Sequence, residues 1–273
     1  MKCNTSKFIM AAVAALMLPA TGGLAEEAQK NDGWEFGASI YGWFPDMSGQ
    51  LAFTPPGGSD SFTVNVEDVL DNIEAVLMVS FEARKGRWGV LTDFVYMDIE
   101  GSKSGTKDFT VGNQQLPANA SADVGLVLEN LFWTLAGTYQ AVEKDWLTMN
   151  VIAGTRYFDV DQTLDWKLNG TVNSVTVADR SGSQTVEVEN WDAIIGTRGR
   201  LMFGPGKSIF VPYELDVGAG DSDFTWQGAV GLGYSFGWAE IVAAWRYMYY
   251  DVADMGIETM EYSGPVLGGS FRW

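Results

Sequence analysis

A chain of 273 residues with 47% hydrophobic and 19% charged residues is too apolar to be disordered and has room for one large domain or two small ones. Its formal charge of −18, from 17 Lys and Arg against 35 Asp and Glu, speaks against a nucleic-acid surface, which needs cations over the phosphates. The chain has no histidine, which removes Ser-His-Asp and Asp-His machinery together with every His-containing zinc site.

Residues 1–25 have the order of a secretory signal peptide. Lys2 and Lys7 precede an apolar run over 8–20, and Gly23-Leu24-Ala25 ends on a small residue suited to cleavage. The run is too short to cross a bilayer as a helix. Cleavage would leave 26–273 as one domain exported through the Sec pathway, and would take the formal charge from −18 to −20. Cys3, the single cysteine, stands before the apolar run, so neither a lipid anchor nor a disulfide is expected. No later stretch approaches 18 uncharged apolar residues, so any membrane crossing must be made by strands.

The mature sequence is a succession of segments with period-two alternation. In 74–84, Leu77, Val79, Phe81 and Ala83 alternate with Met78, Ser80, Glu82 and Arg84; in 87–98, Trp88, Val90, Phe94 and Tyr96 oppose Gly89 and Asp93. The clearest is 224–236, where Phe224, Trp226, Val230, Leu232, Tyr234 and Phe236 share one parity and small or polar residues the other. Ten strands are predicted: 33–44, 74–84, 87–99, 122–140, 146–159, 190–203, 208–218, 223–236, 239–251 and 260–273. Most are long for a soluble protein, where the mean is about 5–6 residues, and meet the roughly 9–11 that a tilted membrane strand needs.

Connections alternate between tight (85–87, 141–145, 204–207, 237–238) and long (45–73, 100–121, 160–189). Short periplasmic turns and long extracellular loops are the habit of outer-membrane barrels, and ten strands return both termini to the periplasm. In 45–73 we expect an extra hairpin outside the membrane, with Phe62–Val66 as a strand, then a helical turn over 67–73 that could fold into the barrel mouth. The Thr/Val-rich runs within 161–189 are expected to extend the strands above the membrane.

Aromatic residues gather in two sets, as in the girdles that barrels carry at the headgroup levels. Trp34, Trp88, Tyr139, Trp146, Phe203, Phe210, Tyr234, Trp238 and Trp273 fall at the short-turn end. Phe44, Tyr96, Tyr157, Trp191, Tyr213, Trp226, Tyr247, Tyr249 and Tyr262 fall at the long-loop end. The expected fold is therefore all-β: a transmembrane antiparallel up-and-down barrel of about ten strands.

Several stretches carry a resemblance. The chain ends Leu267-Gly268-Gly269-Ser270-Phe271-Arg272-Trp273, which resembles the C-terminal signal that the barrel-assembly machinery recognises. Val69-Leu70-Asp71-Asn72-Ile73, Phe81-Glu82-Ala83-Arg84-Lys85-Gly86-Arg87-Trp88-Gly89 and Ser222-Asp223-Phe224-Thr225-Trp226-Gln227 resemble a widespread family of proteobacterial outer-membrane β-barrel proteins. Ala153-Gly154-Thr155-Arg156-Tyr157-Phe158-Asp159 and Ser263-Gly264-Pro265-Val266-Leu267-Gly268 are similar to it as well. The resemblance implies the fold, an outer-membrane location and kinship with porin-like, OmpA-like or OmpW-like small barrels; it implies no activity.

If apolar faces meet lipid, the opposite parity lines the lumen: Glu82, Arg84, Asp93, Glu129, Arg156, Asp192, Arg198, Arg200, Glu214, Asp216, Glu240 and Arg246. Arginine suits a paired interior, because its fork can satisfy two carboxylates at once. These residues form either a salt-bridged filling or the wall of a narrow pore that selects ions. The corresponding functions are a small porin-like channel of low conductance or, alternatively, a non-conducting barrel serving the envelope structurally or through its loops. No enzyme activity, cofactor or metal is expected. Outer-membrane lipids and lipopolysaccharide are the expected partners.

Two motifs are decoys. Gly204-Pro205-Gly206-Lys207-Ser208 resembles the end of a phosphate-binding loop, but Leu201 stands where its first glycine is required, and Gly231-Leu232-Gly233 lies inside a strand. Asp98, Glu100, Asp159, Asp161, Asp221, Asp223, Asp251 and Asp254 would collect near the extracellular rim. They are expected to be solvated, the alternative being a calcium or magnesium site, which would raise the melting temperature in millimolar calcium.

Overall fold

The computed structural model describes residues 33–51, 61–65, 67, 73–105, 110–111, 114–115, 120–172, 175–252 and 257–273. The expected leader over 1–25, the helical turn at 68–72 and Asp254 lie outside the described residues.

In chain order the strands are β1 (Trp34–Trp43), β2 (Asp46–Leu51), β3 (Ser61–Val64), β4 (Ile73–Lys85), β5 (Trp88–Gly105), β6 (Thr110–Val111), β7 (Gln114–Gln115), β8 (Ala120–Lys144), β9 (Leu147–Val172), β10 (Val175–Phe203), β11 (Ile209–Gly220), β12 (Phe224–Ser235), β13 (Ala239–Asp251) and β14 (Ile257–Arg272). Ten of them form one antiparallel sheet in the order β1-β4-β5-β8-β9-β10-β11-β12-β13-β14, and β1 pairs with β14 to close it. The seam runs from Gly37 opposite Arg272 to Trp43 opposite Val266. Backbone bonds between Phe36 and Trp273 in both directions, at 2.9 and 3.0 Å, finish it. Closure leaves the barrel no free edge, which a sheet of this length could not otherwise expose safely.

Alternation decides which side chains meet which surroundings. Ile40, Phe81, Val90, Val230, Leu232 and Leu267 all stand exposed on the outer face, in a belt suited to hydrocarbon rather than water. Trp34, Trp88, Trp146, Trp238 and Trp273 edge that belt at the short-turn end. Two members of the expected girdles depart from it: Phe210 and Tyr262 are buried inside the barrel. Phe210 shares the inward parity of Glu214 and Asp216, and a ten-stranded barrel is narrow enough to need side chains within it.

The tight turns rest on glycine where the backbone enters the left-handed region, Gly86 at φ 60° and Gly237 at φ 94°. The turn expected over 141–145 lies later, at Asp145-Trp146. An irregularity between Gln140 and Val142 lets β8 continue to Lys144.

β2 is the continuation of β1 past a kink. Proline at 45 donates no backbone hydrogen bond, so the strand breaks there and resumes beside the same partner, with Asp46 opposite Ser263 and Leu51 opposite Ile257. Gly264 belongs to this kink: a β-carbon there would overlap the backbone of Phe44 and Pro45. β3 pairs with β2 as the expected extra hairpin, and β6 with β7 as a second small one. The wall is uneven. β8, β9 and β10 run 25, 26 and 29 residues, against 12, 12 and 13 for β11, β12 and β13.

Candidate functional site: the barrel lumen

The lumen has two parts. At the short-turn end lies a chamber of about 460 Å³, open at its foot and lined by charged side chains of β1, β4, β5, β8, β10, β11, β13 and β14. Arg84 pairs with Glu35 beside the opening. Arg200 makes a two-pronged bond to Glu240, at 2.6 and 3.2 Å, and lies over the Phe210 ring at 4.5 Å. Glu240 also receives Ser270 at 3.2 Å and approaches Arg272 at 3.5 Å. Arg198 comes only within 3.7 Å of Glu214, through Nε.

A polar layer roofs the chamber. Arg246 on β13 donates to Gln227 at 2.7 Å and to Asp93 at 3.4 Å, reaching across the barrel to β5. Tyr41 donates to Asp93 at 2.7 Å, and Gln227 donates to Glu214 at 2.8 Å. Beside this layer Arg156 and Asp216 form an ion pair at 2.9 Å with side-chain exposures of 1% and 0%. Thr134 accepts from Arg156 Nε at 3.2 Å. A pair so fully removed from water persists only when both charges are matched, because a stranded one costs several kcal/mol. Asp192, buried on β10, takes two bonds from Ser222, from the backbone at 3.0 Å and the hydroxyl at 2.9 Å, and so ties down the connection between β11 and β12.

Above the roof the filling changes character. Trp43, Phe132, Phe158, Tyr250 and Tyr262 meet in the middle of the barrel with Met47, Met78, Met97, Met248 and Met260 around them, all buried. Phe158 of β9 stacks on Tyr250 of β13 with centroids 4.5 Å apart, although three strands separate them in the sheet. Phe132 touches Phe158 at 5.0 Å and Tyr262 at 5.1 Å. Tyr262 donates across the barrel to Asn130 at 3.1 Å. These contacts span the lumen and fill it. Arg246 joins the two parts, its guanidinium resting 4.8 Å from the Trp43 ring.

Of the expected lumen residues, Glu82, Arg84, Asp93, Arg198, Arg200, Glu214 and Arg246 line the chamber. Arg156, Asp192 and Asp216 are buried beyond it. Glu129 is the correction. Its neighbours Leu128 and Asn130 take the inward positions, so Glu129 is exposed on the outer face, where it accepts from Tyr96 at 2.8 Å. The aromatic filling was not anticipated. The signal was present, since Phe158 and Val160 continue the parity of Arg156, and Met248 and Tyr250 that of Arg246.

Glu129 belongs to an acidic band on the tall wall. Asp98, Glu129, Asp161 and Glu187 stand in register on four adjacent strands, with Asp159 opposite Glu189 one step below. Burial raises the pKa of Asp159 and Asp161, and the surrounding carboxylates push both further the same way, against the bond that Tyr157 gives Asp159. Among the described residues no group of three or more such side chains is placed to hold a metal ion.

No family model matches the chain, and no curated protein does. Among solved structures it is similar to the outer membrane protease OmpT of Escherichia coli, with a TM-score of 0.53 and 10% identity, covering 91% of this chain and 99% of that one. It is also similar to the translocator domain of the autotransporter NalP of Neisseria meningitidis, with a TM-score of 0.40 and 14% identity over 88% of each chain. A third is Ail, the attachment invasion locus protein of Yersinia pestis, with a TM-score of 0.31 and 8% identity over 89% of this chain and 99% of that one. At these identities the likeness is one of fold: this chain has the fold of an outer-membrane β-barrel protein.

Proposed function

We propose that this chain is an integral outer-membrane barrel, exported through the Sec pathway, whose lumen is closed at rest and which serves the envelope as a non-conducting barrel. The observation that carries this reading is the stack of Phe158 on Tyr250 across the lumen, within a filling of buried aromatic and methionine side chains. A low-conductance pore along the charged residues would need that filling to part. The exposed apolar belt and its tryptophans supply the face for lipid, and the tall wall above them would stand among lipopolysaccharide headgroups. The strand ending Phe271-Arg272-Trp273 would be the one read by the assembly machinery. No catalytic role is proposed: the chain has no histidine.

Planar-bilayer recording of the refolded protein tests the reading. The wild type should be silent, and a Trp43→Ala/Phe158→Ala/Tyr250→Ala variant should give discrete current steps. Reproducible steps from the wild type would restore the channel.

A further inference from the structure

The chamber has chemistry that a closed barrel does not need. Its volume of about 460 Å³ falls within the size of small-molecule sites. Five of the chain's eight arginines line it, Arg84, Arg198, Arg200, Arg246 and Arg272, in a protein with 35 acidic residues. Burying a charge is costly unless it is matched, and most of these are. Arg84 has Glu35, Arg200 and Arg272 share Glu240, and Arg246 has Asp93 and Gln227.

Arg198 is the exception. Among the described residues its one ion pair is the 3.7 Å approach of Nε to Glu214, a carboxylate already engaged by Gln227. Its Nη1 is buried and has no hydrogen-bond partner among the described residues. Across the chamber β4 presents Glu82, which lines the same space. Three strands separate β4 from β10 in the sheet, so the two groups stand on opposing walls.

We infer that the chamber is a binding site for a small zwitterion of the amino-acid or short-peptide class, its carboxylate on Arg198 and its ammonium group on Glu82. A simple anion would meet Glu35, Glu82, Asp93, Glu143 and Glu214 as well as the arginines, and a simple cation the reverse. A dipolar molecule satisfies both walls at once. Its carboxylate gives the part of Arg198 that faces the chamber, a side chain 26% exposed, a closer acceptor than Glu214, and its ammonium group gives Glu82 a donor. The inference rests on the closed-barrel reading only in giving the chamber one mouth, at the periplasmic end.

Calorimetric titration of the refolded full chain with dialanine tests it, beside N-acetyl-dialanine, which keeps only the carboxylate, and dialanine amide, which keeps only the ammonium group. Dialanine should bind, and each capped form should bind about tenfold more weakly or worse, as expected on losing a charged hydrogen bond. Arg198→Gln and Glu82→Gln should each weaken dialanine by a similar factor, with heat-modifiable gel migration showing that the variants fold. Absence of binding, or equal binding of dialanine and a capped form, would overturn the inference whatever the variants do. Bilayer recording separates the two proposals: a silent wild type that ignores dialanine removes only the zwitterion site, and a conducting one removes only the closed lumen.

Discussion

Above Trp43 the lumen is packed with rings and methionines, while below it the same circle of strands encloses space edged by arginines and carboxylates. Both regions use the inward parity of the same strands, and the change falls between consecutive inward residues: Arg156 then Phe158 on β9, Arg246 then Met248 on β13. Apolar filling is tolerant of geometry and gains by area, so it can close a section completely. Charges gain only when matched partner by partner, and a set of fixed pairs on opposing walls leaves room between them. The two regions should therefore fail differently.

The largest loss should come where charge is buried most deeply. Asp216→Ala strands Arg156 and should cost about 3–5 kcal/mol in urea unfolding, whereas replacing both partners by apolar residues should restore much of it. A double variant no better than the single one would mean that the pair is held by its surroundings. Next comes Phe158→Ala, which opens a void in the aromatic filling and should cost about 3 kcal/mol by the same measurement. A loss under about 1 kcal/mol would show that the rings repack and that closure is not rigid. In the chamber wall, Glu240→Gln gives up the charged partner of Arg200 and Arg272 and should cost about 1.5–3 kcal/mol. Its effect should shrink in high salt, which the Phe158→Ala loss should not, and that contrast sharpens the distinction between the two regions.

The smallest effect belongs to the outer face, where aligned carboxylates oppose one another. Asp161→Asn should stabilise by about 0.2–1 kcal/mol at neutral pH. Asp159 and Asp161 have folded pKa values above their unfolded ones, so the folded state binds more protons. Their contribution is most favourable below the unfolded value and is lost as pH rises from there through the folded values. Unfolding of the double Asp159→Asn/Asp161→Asn variant should be less sensitive to pH across that window. An unchanged slope would place the pH dependence elsewhere.

Strand number and the inward parity were legible because both follow from a single rule, period-two alternation carried over long segments. Every barrel strand coincides with a predicted segment, and the surplus length of β9 and β10 corresponds to the Thr/Val-rich runs above them. The lumen residues followed from the same parity until Glu129, where apolar and polar residues alternate less cleanly. Leu128 faces inward and Glu129 outward because β8 keeps one parity from Leu128 through Asn130, Phe132 and Thr134, and at this height, before β8 descends into the apolar belt, a charge on the outer face does not meet hydrocarbon. The aromatic closure was missed for a related reason. Placing rings by height along the strand puts Tyr262 in a girdle, whereas its parity puts it in the lumen, and contacts such as Phe158 on Tyr250 depend on curvature that a linear pattern does not contain.

The seam between β1 and β14 has a kinetic meaning. Its paired residues, Gly37 and Arg272 among them, lie almost a full chain apart, so the ring cannot close until the last strand is in hand. Until then any sheet already formed carries two raw edges, each a template for a stray strand, and hydrocarbon is no place for their unsatisfied amides. Closing this ring thus requires β14 to be in place, and a sheet that stops short of it keeps both edges open.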